Sequence, residues 1–182
     1  MNTMMMQSHE FLFRDLGHTL HYLDYDKIKD HKQEDNTMKE VGKIHALFIS
    51  QKGIEYPVAK QSLLVDPKGI SEDKHYNTAP ERTVLITSLE SYHMVKEQLG
   101  TSMPYGYLGE NLLIDYNPYH LPLGTQLQVG TATLEITQNC TLCNHLAKLN
   151  KHIPKLLKGD RGIFAKVVKE GEIKTGDSIR IL

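Results

Sequence analysis

From Val41 onward the chain alternates short apolar runs with turn-rich polar segments. The runs KIHALFIS (43–50), QSLLV (61–65), TVLIT (83–87), NLLID (111–115), TQLQV (125–129), ATLEIT (132–137), IFAKVV (163–168) and SIRIL (178–182) are β-prone and predict strands. Such a series suits a barrel or sandwich better than a wound parallel sheet. TQLQV and ATLEIT are joined only by Gly130-Thr131, which predicts a tight hairpin, because glycine supplies the positive φ that such links need. Two segments carry a helical period instead. Thr87 and Glu90 form a capping-box pattern ahead of Leu89, Tyr92, Val95 and Leu99, and the pattern stops at Gly100. Leu142, Leu146, Leu149, Ile153, Leu156 and Leu157 predict a second helix, which Pro154 should kink or divide.

Residues 1–40 have a different texture, Met-rich and then crowded with charge (DYDKIKDHKQEDNTMKE). They read as an N-terminal extension, helical where ordered, before a β-rich domain over residues 41–182. Composition adds bounds rather than identity. With 40% apolar and 24% charged residues the chain has ordinary globular content, which argues against disorder and against a disulfide scaffold. A net charge of −1 leaves no overall electrostatic footprint for nucleic acid or an anionic membrane, so neither is expected as a partner. No apolar stretch approaches the roughly 18 residues of a membrane span, and the start shows no basic leader with an apolar core. The expected location is the cytoplasm, where cysteines are thiols, ligands or transient redox pairs.

The only two cysteines stand in TLEITQNCTLCNHL, where a strand-like run gives way to a helix-like one. Four readings compete. A zinc clamp would need two further ligands, and His145 and His152 complete no recognised finger spacing. A C-x-x-C redox pair fits the strand-to-helix junction, but it follows a hairpin rather than opening an alternating α/β chain. A single reactive thiol needs only Cys143, which falls in the first helical turn if Asn139 or Thr141 is the cap. Two small core residues are the bland fourth reading.

Polar candidates surround this stretch. Lys148, Lys151, Lys155 and Lys158 recur at three- and four-residue intervals and form a stripe if the helix persists, with Arg161 and Gly162 as a ligand loop just beyond. Asp73, Lys74 and His75 follow a glycine turn, and Arg82 immediately precedes a strand; forked donors and ring nitrogens at strand edges suit a polar, anionic ligand. In YGYLGENLLI, Glu110 and Asn111 stand at the mouth of an apolar run, where an acid and an amide can hydrogen-bond a heterocycle or finish a turn.

Taken in order, VGKIHALFIS, GISEDKHY, PERTVLITSLES, GYLGENLLI, LGTQLQVGTATLEITQNCTLCNHL and GDRGIFAKVVKEGEIKTGDSI resemble the MOSC domain, named for the C-terminal domain of molybdenum cofactor sulfurases, in its short single-domain form. The resemblance implies a mainly β, barrel-like fold with a few peripheral helices. It implies a molybdenum cofactor of the molybdopterin type, with Cys143 as catalytic thiolate and metal ligand. Asp73, His75, Arg82, Gly109, Glu110, Asn111 and Gln138 fall on other motif positions and are expected, with Arg161, to contact cofactor or substrate. The activity implied is reduction of small N-hydroxylated compounds by electrons from a separate reductase. The alternatives are a sulfur carrier bearing a persulfide on Cys143, fed by a sulfur donor, and a non-enzymatic binding module with structural cysteines. Two departures from the pattern stand out: Cys140 occupies a place often held by arginine, and Glu72 one often held by glycine. Cys140 and Cys143 are also spaced to close into a regulatory disulfide.

Overall fold

The computed structural model describes residues 38–141 and 145–182. The chain divides between Asn36 and Thr37, and everything below concerns the unit that begins at Thr37. The N-terminal extension up to residue 37 and the triplet Leu142, Cys143 and Asn144 lie outside the described residues.

The strands are β1 (Lys39–Ile49), β2 (Val58–Lys60), β3 (Ser62–Asp66), β4 (Gly69–Ile70), β5 (Val84–Ser88), β6 (Leu112–Ile114), β7 (Gln126–Val129), β8 (Ala132–Asn139), β9 (Ile163–Lys169), β10 (Gly171–Lys174) and β11 (Ser178–Ile181). Each of the eight runs read from the sequence overlaps one of them. The three additional strands β2, β4 and β10 have two to four residues each, too short to carry a readable alternation.

Long β1 closes the main sheet. Lys39–Lys43 pairs antiparallel with β11, Ile44–Leu47 pairs with β6, and the order β11-β7-β8-β9-β5-β6-β1 returns to its start as a seven-strand barrel, with β2 added along the end of β1. The predicted β7–β8 hairpin is present, with Val129 opposite Ala132 and Gly130 at φ 56. Among the described strands only β5 and β6 pair in parallel, and the connection between them passes through a helix as such a pairing requires. The smaller sheet β10-β3-β4 contributes Leu63, Val65, Ile70 and Ile173 to the barrel's own apolar cluster.

Strand alternation produces two cores. On β6, Leu112 and Ile114 join the barrel cluster while Leu113 between them faces a second one; Leu47 and Phe48 divide in the same way on β1. The second cluster packs Phe48 and Leu113 against Tyr92 and Val95 of α1 (Leu89–Leu99) and against Leu146, Ile153 and Leu157 of the segment after the cysteines. This outer cluster fixes the helices to the wall beside the candidate site.

Both helix expectations need correction in detail. The cap of α1 is Ser88, whose Oγ accepts the Glu90 N–H at 3.1 Å, while Thr87 remains in β5 and donates to the Arg161 carbonyl at 3.0 Å. The second helix is two single turns, α2 (Leu146–Leu149) and α3 (Ile153–Leu156). The break falls at Asn150, ahead of Pro154, whose ring is tolerated in the first turn of α3. The residue preceding α2 is His145, so neither Asn139 nor Thr141 caps it. Asn139 is still paired with Ile163, and the Cys140 N–H donates to the Gly162 carbonyl at 2.8 Å, which prolongs the β8 ladder by one residue. The lysine stripe is therefore broken across two turns.

Leu134 is fully buried in β8, between Leu127 of β7 and Val167 of β9. Leu134→Ala should cost about 2–5 kcal/mol in urea unfolding; a loss below about 1 kcal/mol would contradict a packed barrel interior.

Candidate functional site

Four connecting segments converge on a cavity of about 340 Å³. Ser50, Glu55, Tyr56 and Pro57 line it from the β1–β2 loop, Lys74 from the β4–β5 loop, Gly106, Tyr107 and Gly109 from the α1–β6 loop, and His145 and Lys148 from the start of α2. Loops carried on a rigid barrel are where recognition chemistry is usually placed. A depression of similar volume, about 350 Å³, lies near the β7–β8 turn against Thr131, Glu172, Lys174 and Arg180. Its Lys174 and Glu172 already pair at 3.0 Å, and no sequence-nominated residue lines it.

Asp73 organises one wall of the first cavity. One carboxylate oxygen accepts the Ser50 N–H at 2.7 Å and the Asn111 side-chain N–H at 3.2 Å; the other accepts the His75 N–H at 2.8 Å and faces the His75 ring Nδ1 at 3.0 Å. The Lys74 N–H then donates to the Ser50 carbonyl at 2.8 Å. Asp73 thus ties the end of β1 to the loop carrying Lys74. Asn111 extends this strap: its amide oxygen accepts the Leu85 N–H at 3.0 Å and its amide nitrogen donates to the Phe48 carbonyl at 3.2 Å. The polar atoms of both residues are therefore occupied within the protein. His75 leaves 60% of its side chain exposed, outside the cavity lining.

Two buried charged residues support the Gly106–Gly109 part of the lining. Glu110 accepts the Tyr92 hydroxyl at 2.6 Å and the Gly106 N–H at 2.8 Å on one oxygen, while its other oxygen has no hydrogen-bond partner among the described residues. Arg161 donates one terminal nitrogen to the Leu108 carbonyl at 2.9 Å, and the other to the Thr141 carbonyl at 2.7 Å and Cys140 Sγ at 3.2 Å. This fork joins the Gly106–Gly109 turn to the end of β8. Gly109, at φ 83, takes the left-handed conformation that glycine accepts without strain, and a side chain there would point at the guanidinium, 3.7 Å from its Cβ. Burial pushes the Glu110 carboxyl above the usual range, against the opposing pull of its hydrogen bonds and of Arg161. Burial and the neighbouring Glu110 charge likewise hold the Tyr92 phenol far above its ordinary value.

Arg82 and Gln138 belong elsewhere. Arg82 ends the 3-10 turn Pro80–Arg82, with its guanidinium 4.3 Å from the centre of the Phe164 ring, and Gln138 is the β8 partner of Phe164. Of the expected contact residues, Gly109 lines the cavity, Asp73 and Asn111 brace its wall, and Glu110 and Arg161 anchor the loops that form it. Glu72, in the position often held by glycine, adopts φ 72 and bonds Lys60 at 2.6 Å, so the backbone keeps the glycine-like conformation with a side chain attached. Cys143, and with it the expected disulfide to Cys140, lies outside the described residues; Cys140 is buried.

Sequence reading passed over Ser50, Glu55, Tyr56, Pro57 and Tyr107. Their available signal was weak: a Tyr-Pro pair in a polar loop, and a tyrosine between the turn glycines of YGYLGEN. Among the described residues no three His, Cys, Asp or Glu side chains gather into a bare-ion site, and no helix is long and apolar enough to cross a membrane.

The raised Glu110 value has a definite pH consequence. The folded protein keeps this proton to higher pH than the unfolded chain does, so the contribution of Glu110 to stability falls as pH rises from the ordinary value of 4.5 to the raised folded one. Glu110→Gln should gain stability relative to the native protein as pH rises through that window, measured by denaturant unfolding at several pH values. Parallel stability curves would show that Glu110 titrates normally.

No curated protein matches the chain. Among solved structures, its fold is similar to that of the YuaD protein from Bacillus subtilis, at 19% identity and TM-score 0.67, over 78% of this chain and 95% of that one. It is similar to YiiM from Geobacillus stearothermophilus at 20% identity and TM-score 0.64, over 78% and 75% of the two chains. For YiiM from Escherichia coli the values are 18% identity and TM-score 0.56, over 77% and 69%. At these identities the likeness concerns the fold alone. The MOSC domain family matches residues 73–180, which hold most of the barrel and the loops carrying Lys74, Gly109 and His145. With more than half of its length matched in this way, and with the barrel in place, the chain belongs to the MOSC domain family.

Proposed function

We propose that the protein binds a molybdenum cofactor of the molybdopterin type in the 340 Å³ cavity and reduces small N-hydroxylated compounds, with Cys143 as the thiolate ligand of the metal. The observation that carries this reading is the cavity itself. Three segments within the matched residues, together with the β1–β2 loop that precedes them, surround a space with two ammonium groups, an imidazole and tyrosine rings, and the Arg161 fork fastens its rim to the Cys140–Thr141 end of β8.

The residues present fit such a group. Tyr56, Pro57 and Tyr107 offer faces for a flat heterocycle, Lys74 and Lys148 offer positive charge, and Gly109 brings bare backbone to the wall. A soft metal suits a thiolate ligand. When bound, the cofactor supplies two-electron redox chemistry. Reduction of an N–OH group to N–H consumes two electrons and two protons and releases water, and the electrons are assigned to a separate reductase. The chain's own share is to bind, orient and shield. Asp73 and Asn111 keep the Ser50–Lys74 wall in place, and Glu110 and Arg161 keep the Gly106–Gly109 turn against the end of β8.

Gently purified protein should carry molybdenum and an acid-releasable pterin, and Cys143→Ser should lose at least about nine-tenths of the metal while keeping the native unfolding transition. Labile sulfur released by cyanide from Cys143 in protein without pterin would instead establish the sulfur carrier. A Cys143→Ser protein retaining metal and activity would defeat both.

A further inference from the structure

Building on the cofactor reading, we propose that Lys74 and Lys148, from two separate segments that line the cavity, form the anion-binding part of the site and hold the phosphate-bearing end of the ligand. The other cations nominated for that work are engaged or placed elsewhere. Arg161 has both terminal nitrogens on Leu108 O, Thr141 O and Cys140 Sγ. Arg82 lies over the Phe164 ring and does not line the cavity. Of the stripe Lys148, Lys151, Lys155 and Lys158, the break between α2 and α3 leaves Lys148 alone in the lining.

Lys74 and Lys148 come from separate segments, yet each has its backbone tied to the site. The Lys74 N–H donates to the Ser50 carbonyl at 2.8 Å, and the Lys148 N–H donates to the His145 carbonyl at 3.0 Å. Neither makes a salt bridge among the described residues, where other lysines, such as Lys60, Lys166 and Lys174, do. Among the described residues Glu55 is the one acidic residue in the lining, so two ammonium groups face one carboxylate there and the described lining keeps a positive excess. The His145 ring, with Nε2 3.1 Å from the Tyr107 carbonyl, must carry its proton on that nitrogen to make the bond, which sets the ring's orientation beside Lys148. Charge-assisted contacts of ammonium with phosphate are strong and tolerant of geometry, as suits lysines on flexible stems.

The test uses the full-length protein with Lys74→Ala, Lys148→Ala, the double variant, and Lys151→Ala as a control on an exposed neighbour outside the lining. Two readouts are taken: pterin retained per chain, by fluorescence of the oxidised pterin after acid release, and the Kd of inorganic phosphate for pterin-free protein at low and high salt. Each single change should weaken phosphate binding by about 10-fold. The double variant should show no binding and retain little pterin, and Lys151→Ala should match the native protein. Phosphate binding that depends on both lysines in a protein never found with pterin would uphold the anion site while overturning the cofactor reading. Native-like pterin retention by the double variant would overturn the lysine assignment and leave the cofactor reading intact. Phosphate binding equal in all variants, or absent from the native protein, would also overturn the assignment.

Discussion

The architecture depends on one strand serving two partners along its length. The first half of β1 pairs with β11 and the second half with β6, which turns an open row of strands into a ring without a free edge among its seven members. Once the ring is closed, alternate side chains have no choice of side. Leu47, Leu112 and Leu134 fill the inside, while Phe48 and Leu113 are left outside, where the helices cover them. The site is a consequence of that second, outer packing. It brings the α1–β6 loop and the start of α2 against the end of β1, three segments far apart in the chain.

Holding those loops requires polar groups in places that water does not reach. Arg161 and Glu110 are both buried, and each leaves one polar atom without a hydrogen-bond partner among the described residues. Buried charges of this kind seldom add net stability, because desolvation offsets the attraction, and removing one partner leaves the other uncompensated. Their value here is geometric. A guanidinium reaching two carbonyls and a sulfur atom on separate segments specifies one relative placement of the Gly106–Gly109 turn and the end of β8. Asp73 does the same for its own loop with a carboxylate that accepts from three segments, at Ser50, His75 and Asn111. The motif residues are thus mainly the frame of the cavity, and much of its lining comes from side chains that no motif marks.

Eight strand positions, the hairpin at Gly130 and the length of α1 were readable because each rests on local rules: alternation, a positive-φ turn and a helical period closed by glycine. The cap of α1 was misplaced by one residue, since Thr87 and Ser88 have similar capping chemistry and the Thr87 hydroxyl is committed to the Arg161 carbonyl. The leucine period after the cysteines misled in a different way. Leu146, Ile153 and Leu157 are all buried as a helix would bury them, but two separate turns satisfy the same contacts, and the extended residue Asn150 divides them.

By itself the sequence determined where eight of the eleven strands lie, that they make a mainly β domain, and which family's pattern they follow, because those properties depend on near neighbours and on the order of short motifs. Only the tertiary structure decided what the nominated polar residues do. Arg161 and Asn111 have the chemistry of ligand contacts, yet both are spent largely on backbone groups brought to them from distant segments; of four similar lysines, Lys148 is the one that lines the cavity. The physical reason is that a side chain's role is set by the partners within about 3 Å of it, and in a closed barrel those partners come from strands and loops tens of residues away.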